Sequence, residues 1–134
     1  MERATRTFKL RVSPKGFDLL AHCHHRMLVA TRVLLPYGAT LTAAMEHLSR
    51  TIIDQGTTSS LASEVAGLAG PITVFVGAPH WVGAKAAEIS RNAGGQVAMG
   101  DVYLIALKRL SSVAPKGLAC LHDEVGAGRP LELQ

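Results

Sequence analysis

The chain has 134 residues, enough for one compact domain, and a hydrophobic content of 48% with 18% charged residues excludes a disordered protein. No apolar run approaches the roughly 20 residues that span a bilayer, and residues 1–6 lack the apolar stretch of a signal peptide, which together favour a cytoplasmic location. The net charge is +4, and residues 1–53 hold eight basic residues against three acidic ones. This uneven charge suggests a polyanionic partner. The alternative is ordinary surface charge that serves solubility.

The first half of the chain predicts one strand followed by two helices. Residues 1–6 form a basic arm, and residues 7–12 then alternate apolar and polar side chains as a half-buried strand does. A helix is expected from about Pro14, and a second helix from 40 to 53. We treat residues 7–53 as the first structural copy.

The second half predicts the same order of elements. A linker, residues 54–70, leads to the second copy, residues 71–113. Its strand covers 72–76, a helix starts at about His80, and the last helix covers 101–113.

The second helices of the two copies share their core pattern. A shift of about 62 positions pairs their apolar residues. The pairs are Leu41 with Tyr103, Ala44 with Ala106, Met45 with Leu107, and Leu48 with Leu110. The sequence therefore predicts a mainly α fold, in which two βαα copies form an intramolecular pseudo-dimer around a two-stranded antiparallel ribbon. Residues 114–134 form a tail that is expected to be partly flexible.

The polar face of the ribbon carries the candidate base contacts. Thr7, Lys9 and Arg11 alternate with apolar residues and share one face of the first strand. A two-stranded ribbon fits the major groove of B-DNA, where lysine and arginine can donate hydrogen bonds to guanine. Threonine can form a hydrogen bond or make a methyl contact there. Thr73 and Phe75 occupy the matching face of the second strand, where Phe75 would touch thymine methyl groups or lie buried under the tail. The alternative for the whole face is a solvated edge that prevents aggregation.

The candidate phosphate contacts lie beside the ribbon. Arg3 and Arg6 are positively charged, and Gly38, Ala39 and Thr40 precede or begin a helix, where free backbone N–H groups favour an anion. The alternative for Gly38 to Thr40 is simple helix capping.

Metal binding and catalysis find little support in the residues. Consecutive residues of a helix point about 100° apart, so His22, Cys23, His24 and His25 cannot easily close one metal site. Cys23 and Cys120 are expected to be reduced thiols. No nucleophile and base occur at a recognisable spacing, so we expect no enzyme and no cofactor.

The pattern over residues 7–113 resembles the ribbon-helix-helix DNA-binding proteins. Residues 72–78 are similar to the first strand of their tandem, single-chain members, which act as accessory factors in T-DNA and conjugative DNA transfer. The resemblance implies a double ribbon-helix-helix fold, sequence-specific binding of double-stranded DNA and assistance to a relaxase or other transfer protein, by a monomer that needs no membrane. The alternatives are a transcriptional repressor of the same fold and a protein-interaction module whose strand edge or Phe75 binds a partner chain.

Overall fold

A two-stranded sheet and five helices make up the part of the chain that the structure describes. The structure is a computed structural model, and it describes residues 5–55, 65–92 and 97–127. Within these ranges the elements follow the order strand, helix, helix, strand, helix, helix, helix. None of the described helices combines the length and the apolar character that crossing a membrane requires.

The sheet pairs two strands that are distant in the chain. Strand β1 spans Thr5–Val12 and strand β2 spans Ile72–Pro79. They run antiparallel, from Thr5 opposite Pro79 to Val12 opposite Ile72. The alternation of side chains buries one face of each strand against the helices. The predicted antiparallel pairing of these two strands is confirmed.

The helices begin and end where local chemistry allows. The Ser13 hydroxyl accepts the Gly16 N–H at 3.0 Å and Pro14 is the first helical residue, which fixes the start of the first helix. Arg32 ends that helix in the left-handed conformation, with φ 61°. The five helices are α1 Pro14–Thr31, α2 Tyr37–Gln55, α3 His80–Asn92, α4 Met99–Leu110 and α5 Pro115–Ala127.

The core is centred on the contact between α2 and α4, which pack against each other. Their apolar residues recur at helical spacing, and every residue of the four pairs predicted from the sequence is buried. These residues are Leu41, Ala44, Met45, Leu48, Tyr103, Ala106, Leu107 and Leu110. The predicted central position of the two helices is confirmed.

The predicted fold class, two βαα repeats forming a pseudo-dimer, is wrong. Over the described residues there is one two-stranded sheet with five helices, and β1 is the one strand near the N-terminus. The first two helices have 18 and 19 residues, but α3 and α4 have 13 and 12. A Cβ at Gly38 of α2 would lie 1.7 Å from the Gly77 carbonyl oxygen, whereas a Cβ at the matching Gly100 of α4 would meet nothing within 4 Å. The halves therefore pack differently against the sheet.

The C-terminal region contributes a helix where a partly flexible tail was predicted. Pro115 takes the first position of α5, a place where its missing N–H costs nothing. Leu118 and Leu121 of α5 are buried, and the helix packs against α1 and α2. Among the described residues, which leave out 56–64, no helix of the first half matches α5.

Candidate nucleic-acid interface

The solvent face of the sheet brings together all the residues that were predicted to contact bases. We call this surface the ribbon face, and all its residues are exposed. It consists of Thr7, Lys9 and Arg11 of β1 and Thr73, Phe75 and Gly77 of β2. The register sets Lys9 opposite Phe75, Arg11 opposite Thr73 and Thr7 opposite Gly77. Each row of the ribbon face thus joins one residue of each strand.

The buried side of the sheet holds the ribbon face in position. Phe8, Leu10 and Val12 of β1 and Val76 and Ala78 of β2 belong to the hydrophobic core. Because neighbouring residues in a strand point to opposite faces, this burial forces the ribbon face toward solvent. Phe75 is 67% exposed, so the alternative that it lies buried under the tail is wrong.

The ribbon face is positively charged. Neither strand contains an acidic residue. Within the described ranges, no acidic side chain pairs with Lys9 or Arg11. Their N–H donors are therefore available to an external acceptor such as a base edge.

Arg6 lies near the start of β1, on the face that also carries Phe8 and is turned away from the ribbon face. Its guanidinium carbon is 5.4 Å from the centre of the Phe8 ring, which is a cation–π distance. The Phe8 ring in turn packs 5.5 Å from the ring of Tyr103. Arg6 is exposed beyond this contact, which suits a phosphate contact. Arg3, the other predicted phosphate ligand, lies outside the described residues.

Gly38 and Thr40, two of the three residues predicted to bind phosphate at the start of α2, are buried. Thr40 is fully buried, and its hydroxyl lies 2.8 Å from Nδ1 of His24. Gly38 is buried against β2, and the Ala39 N–H donates to the Pro36 carbonyl at 3.0 Å. The physical reason for this burial is the close approach of α2 to the sheet, so the structure gives the predicted phosphate contacts of Gly38 and Thr40 no support.

The histidine and cysteine cluster of α1 divides between two environments. His22 and His25 are exposed, whereas Cys23 and His24 are buried. The Cys23 thiol donates to the Leu107 carbonyl at 3.1 Å, and burial raises the pKa of the thiol to about 11. Such a thiol is not a reactive nucleophile. Among the residues that the structure describes, no three His, Cys, Asp or Glu side chains are grouped to hold a metal ion.

An apolar groove beside β2 was not found from the sequence. We call it the aromatic groove; its volume is about 170 Å³. It is lined by Phe17, Leu20 and Ala21 of α1, Tyr37 of α2 and residues 74–76 of β2. Phe17 and Tyr37 are 44% and 46% exposed. The helical pattern of α1 and the turn before α2 carry no signal for such a surface, because it forms only when both pack beside the sheet.

Comparisons with protein-family models, with curated proteins and with solved structures found no match to this chain.

Proposed function

We propose that this protein binds double-stranded DNA by inserting the ribbon face into the major groove. The observation that carries the proposal is that Lys9, Arg11 and Thr73 lie on one exposed face of a two-stranded antiparallel sheet, with Arg11 directly opposite Thr73. A sheet of this width fits the major groove, and its side chains then reach base edges.

The chemistry of the two strands assigns different roles to them. Lysine and arginine of β1 donate to the O6 and N7 acceptors of guanine, and arginine can do so through two hydrogen bonds. On β2, Thr73 offers a hydroxyl and Phe75 an exposed ring that suits a thymine methyl group. The bound DNA site is then asymmetric, because the two strands present different groups to the two DNA strands.

The first experiment is a selection of duplexes from a random-sequence pool, followed by fluorescence anisotropy with the selected duplex and with random duplex. Because lysine and arginine displace counterions from the DNA, affinity should fall steeply as salt concentration rises. Binding that is independent of salt, or a selection that enriches no sequence, would contradict the proposal.

The decisive variant is Arg11→Ala, measured at one fixed salt concentration. Loss of a bidentate base contact costs about 1–3 kcal/mol, so the ratio of specific to non-specific affinity should fall by roughly 5- to 150-fold. Arg32→Ala is the matched control, since Arg32 is an exposed arginine at the opposite end of α1 from the sheet. The control removes the same charge and should leave the ratio unchanged. Equal ratios for wild type and Arg11→Ala would sink the proposal.

The process that this binding serves stays a prediction. Assistance to a relaxase in DNA transfer and repression of a promoter require the same contacts to DNA. The two roles differ in a nicking assay, where an accessory factor increases the cleavage of supercoiled plasmid by a relaxase and a repressor does not.

A further inference from the structure

Helix α2 covers one part of the outer edge of β2 and leaves another part to the aromatic groove. The start of α2 packs against this edge at Gly77, where a Cβ at Gly38 would lie 1.7 Å from the Gly77 carbonyl oxygen. Backbone groups alternate in direction along a strand, so the N–H and C=O groups of Phe75 face the same edge. Among the described residues no group outside the sheet bonds to them. Phe75 lines the aromatic groove, so this pair of polar groups lies at its wall.

The aromatic groove is short and bounded on three sides. Strand β2 forms one wall, and Phe17, Leu20 and Ala21, which share one face of α1, form the other. Tyr37, directly before Gly38, stands at the end where α2 meets β2. A polypeptide strand cannot continue along β2 past this end, because α2 occupies the edge there. The shape therefore suits a small molecule and not an added chain.

The size and the lining define the class of molecule that fits. The volume of about 170 Å³ slightly exceeds that of an apolar cavity of about 150 Å³ that holds benzene, so one or two fused rings fit. Three of the six aromatic residues of the chain, Phe17, Tyr37 and Phe75, line the groove and offer ring faces and edges for stacking. The described residues of the lining include no charged side chain, so an ion would lose hydration there without gaining a partner.

We propose that the aromatic groove binds an uncharged, planar molecule of one or two fused aromatic rings that carries a hydrogen-bond donor and an acceptor on one edge. The rings pack among the three aromatic side chains. The donor of the ligand meets the Phe75 carbonyl, and its acceptor meets the Phe75 N–H. Lactams and related nitrogen heterocycles have such an edge.

This site has a consequence for DNA binding, which rests on the function proposed above. Phe75 belongs both to the aromatic groove and to the ribbon face, where its exposed ring is available to a thymine methyl group. A ring that packs on a ligand in the groove is withdrawn from that contact. The ligand and DNA therefore oppose each other, and each lowers the affinity for the other by the same factor.

A titration of the whole chain with 2-quinolinone, a neutral two-ring lactam, tests the site without DNA. Protein amide NMR spectra should show saturable binding with a Kd between about 10 µM and 5 mM, as expected for a ligand of this size, and the Phe75 amide should be among the signals that shift most. The N-methyl derivative lacks the donor and should bind at least threefold more weakly. Quinoline-2-carboxylate carries a charge and should bind at least tenfold more weakly. Equal affinities of the three probes, or no saturable shift with 2-quinolinone, would overturn the proposal.

Variants of the α1 wall locate the binding. Phe17→Ala removes one ring and should weaken 2-quinolinone binding at least fivefold, and Ala21→Leu fills the groove and should weaken it at least tenfold. Leu34→Ala is the matched control, because Leu34 is an apolar residue with 92% exposure outside the groove, and it should leave the Kd unchanged. Phe17 and Ala21 are not buried, so both variants should keep the helical circular dichroism of the wild type. Equal affinities of folded Phe17→Ala, Ala21→Leu and Leu34→Ala would place the binding elsewhere and contradict the proposal.

A final measurement addresses the opposition between ligand and DNA. Saturating 2-quinolinone should raise the Kd for the selected duplex at least threefold in the wild type, and should leave it unchanged in Phe75→Ala, whose ring is absent from both sites. An unchanged duplex affinity of the wild type would disprove the opposition. Normal binding of 2-quinolinone by a protein that binds no duplex would confirm the groove site and contradict the proposed function, whereas normal duplex binding without 2-quinolinone binding would do the reverse.

Discussion

Gly38 shows how one residue determines the position of a helix beside the sheet. The nearest atom to its Cβ position is a backbone carbonyl oxygen, that of Gly77, and neither backbone can yield by rotating a side chain. The absence of a side chain at Gly38 is therefore what lets α2 approach β2. Gly100, near the start of α4, has open space at the same point of its helix.

Gly38→Ala should lower the free energy of unfolding by about 1–3 kcal/mol, because the added methyl group forces α2 and β2 apart. Gly100→Ala is the control, and it should be neutral or stabilise by up to about 1 kcal/mol, because alanine is the better helix former. Urea denaturation of both variants measures the difference. Equal stabilities for the two variants would show that the close approach does not constrain the fold.

One buried histidine, His24, and one half-buried histidine, His47, link the stability of the protein to pH. The ring of His24 stacks 3.9 Å from the ring of Tyr37 and lies within hydrogen-bond distance of the buried Thr40 hydroxyl. Burial lowers the pKa of His24, and burial with two nearby arginines lowers the pKa of His47. A lowered pKa in the folded state means that the unfolded chain takes up protons more readily.

The free energy of unfolding should therefore be at its full value above about pH 6.5, the ordinary pKa of histidine, and should fall as the pH drops below it. His24→Gln should reduce this dependence without abolishing it, because His47 remains. His22→Gln changes an exposed histidine of the same helix and is the control. Thermal unfolding at pH 7.5 and 5.5 provides the comparison. An unchanged dependence in His24→Gln would exclude His24 as a contributor.

At the scale of elements, the end of α4 is held by a side chain of α1. Arg26 donates from Nη1 to the carbonyls of Leu110 and Ser111, at 3.4 and 2.9 Å, and from Nη2 to the carbonyl of Val113, at 2.6 Å. These carbonyls follow or end the helix and have no partner within it. A positive charge at this end also suits the helix dipole.

Arg26→Met keeps the aliphatic part of the side chain and removes these hydrogen bonds, so it should destabilise the protein by about 1.5–3 kcal/mol. The stability of Arg26→Lys should lie between those of the wild type and Arg26→Met, because one ammonium group cannot span three carbonyls. Arg32→Met, at the exposed end of the same helix, should change stability by less than about 0.5 kcal/mol. Calorimetric unfolding temperatures give the order, and an Arg26→Met variant as stable as Arg32→Met would contradict the capping role.

At the scale of the whole molecule, the periodicities of the sequence predict the parts and the packing decides how they combine. A period of two fixes which residues share the ribbon face, so Lys9, Arg11 and Phe75 could be assigned to it from the sequence. A period near 3.6 likewise identifies the core of α2 and α4. These features depend on neighbours in the chain and on burial of one face.

Other features depend on contacts between distant residues, and the sequence does not predict them. The burial of Thr40 follows from the fit of Gly38 against β2. Helix α5 starts at a proline and ends in a glycine-containing stretch, so its local signals favour a tail, and burial of Leu118 and Leu121 stabilises it as a helix. The resemblance of the two halves is confined to local patterns, which is why it does not extend to their packing.

The wide separation of the two strands also affects the order of folding. Val12 pairs with Ile72, 60 positions later in the chain, and the other strand pairs are more distant still. Closing such a long loop costs entropy before any contact compensates for it. During synthesis, β1 leaves the ribosome long before its partner, with Phe8, Leu10 and Val12 still uncovered. We therefore expect the newly made N-terminal half to be the stage of synthesis most prone to aggregation.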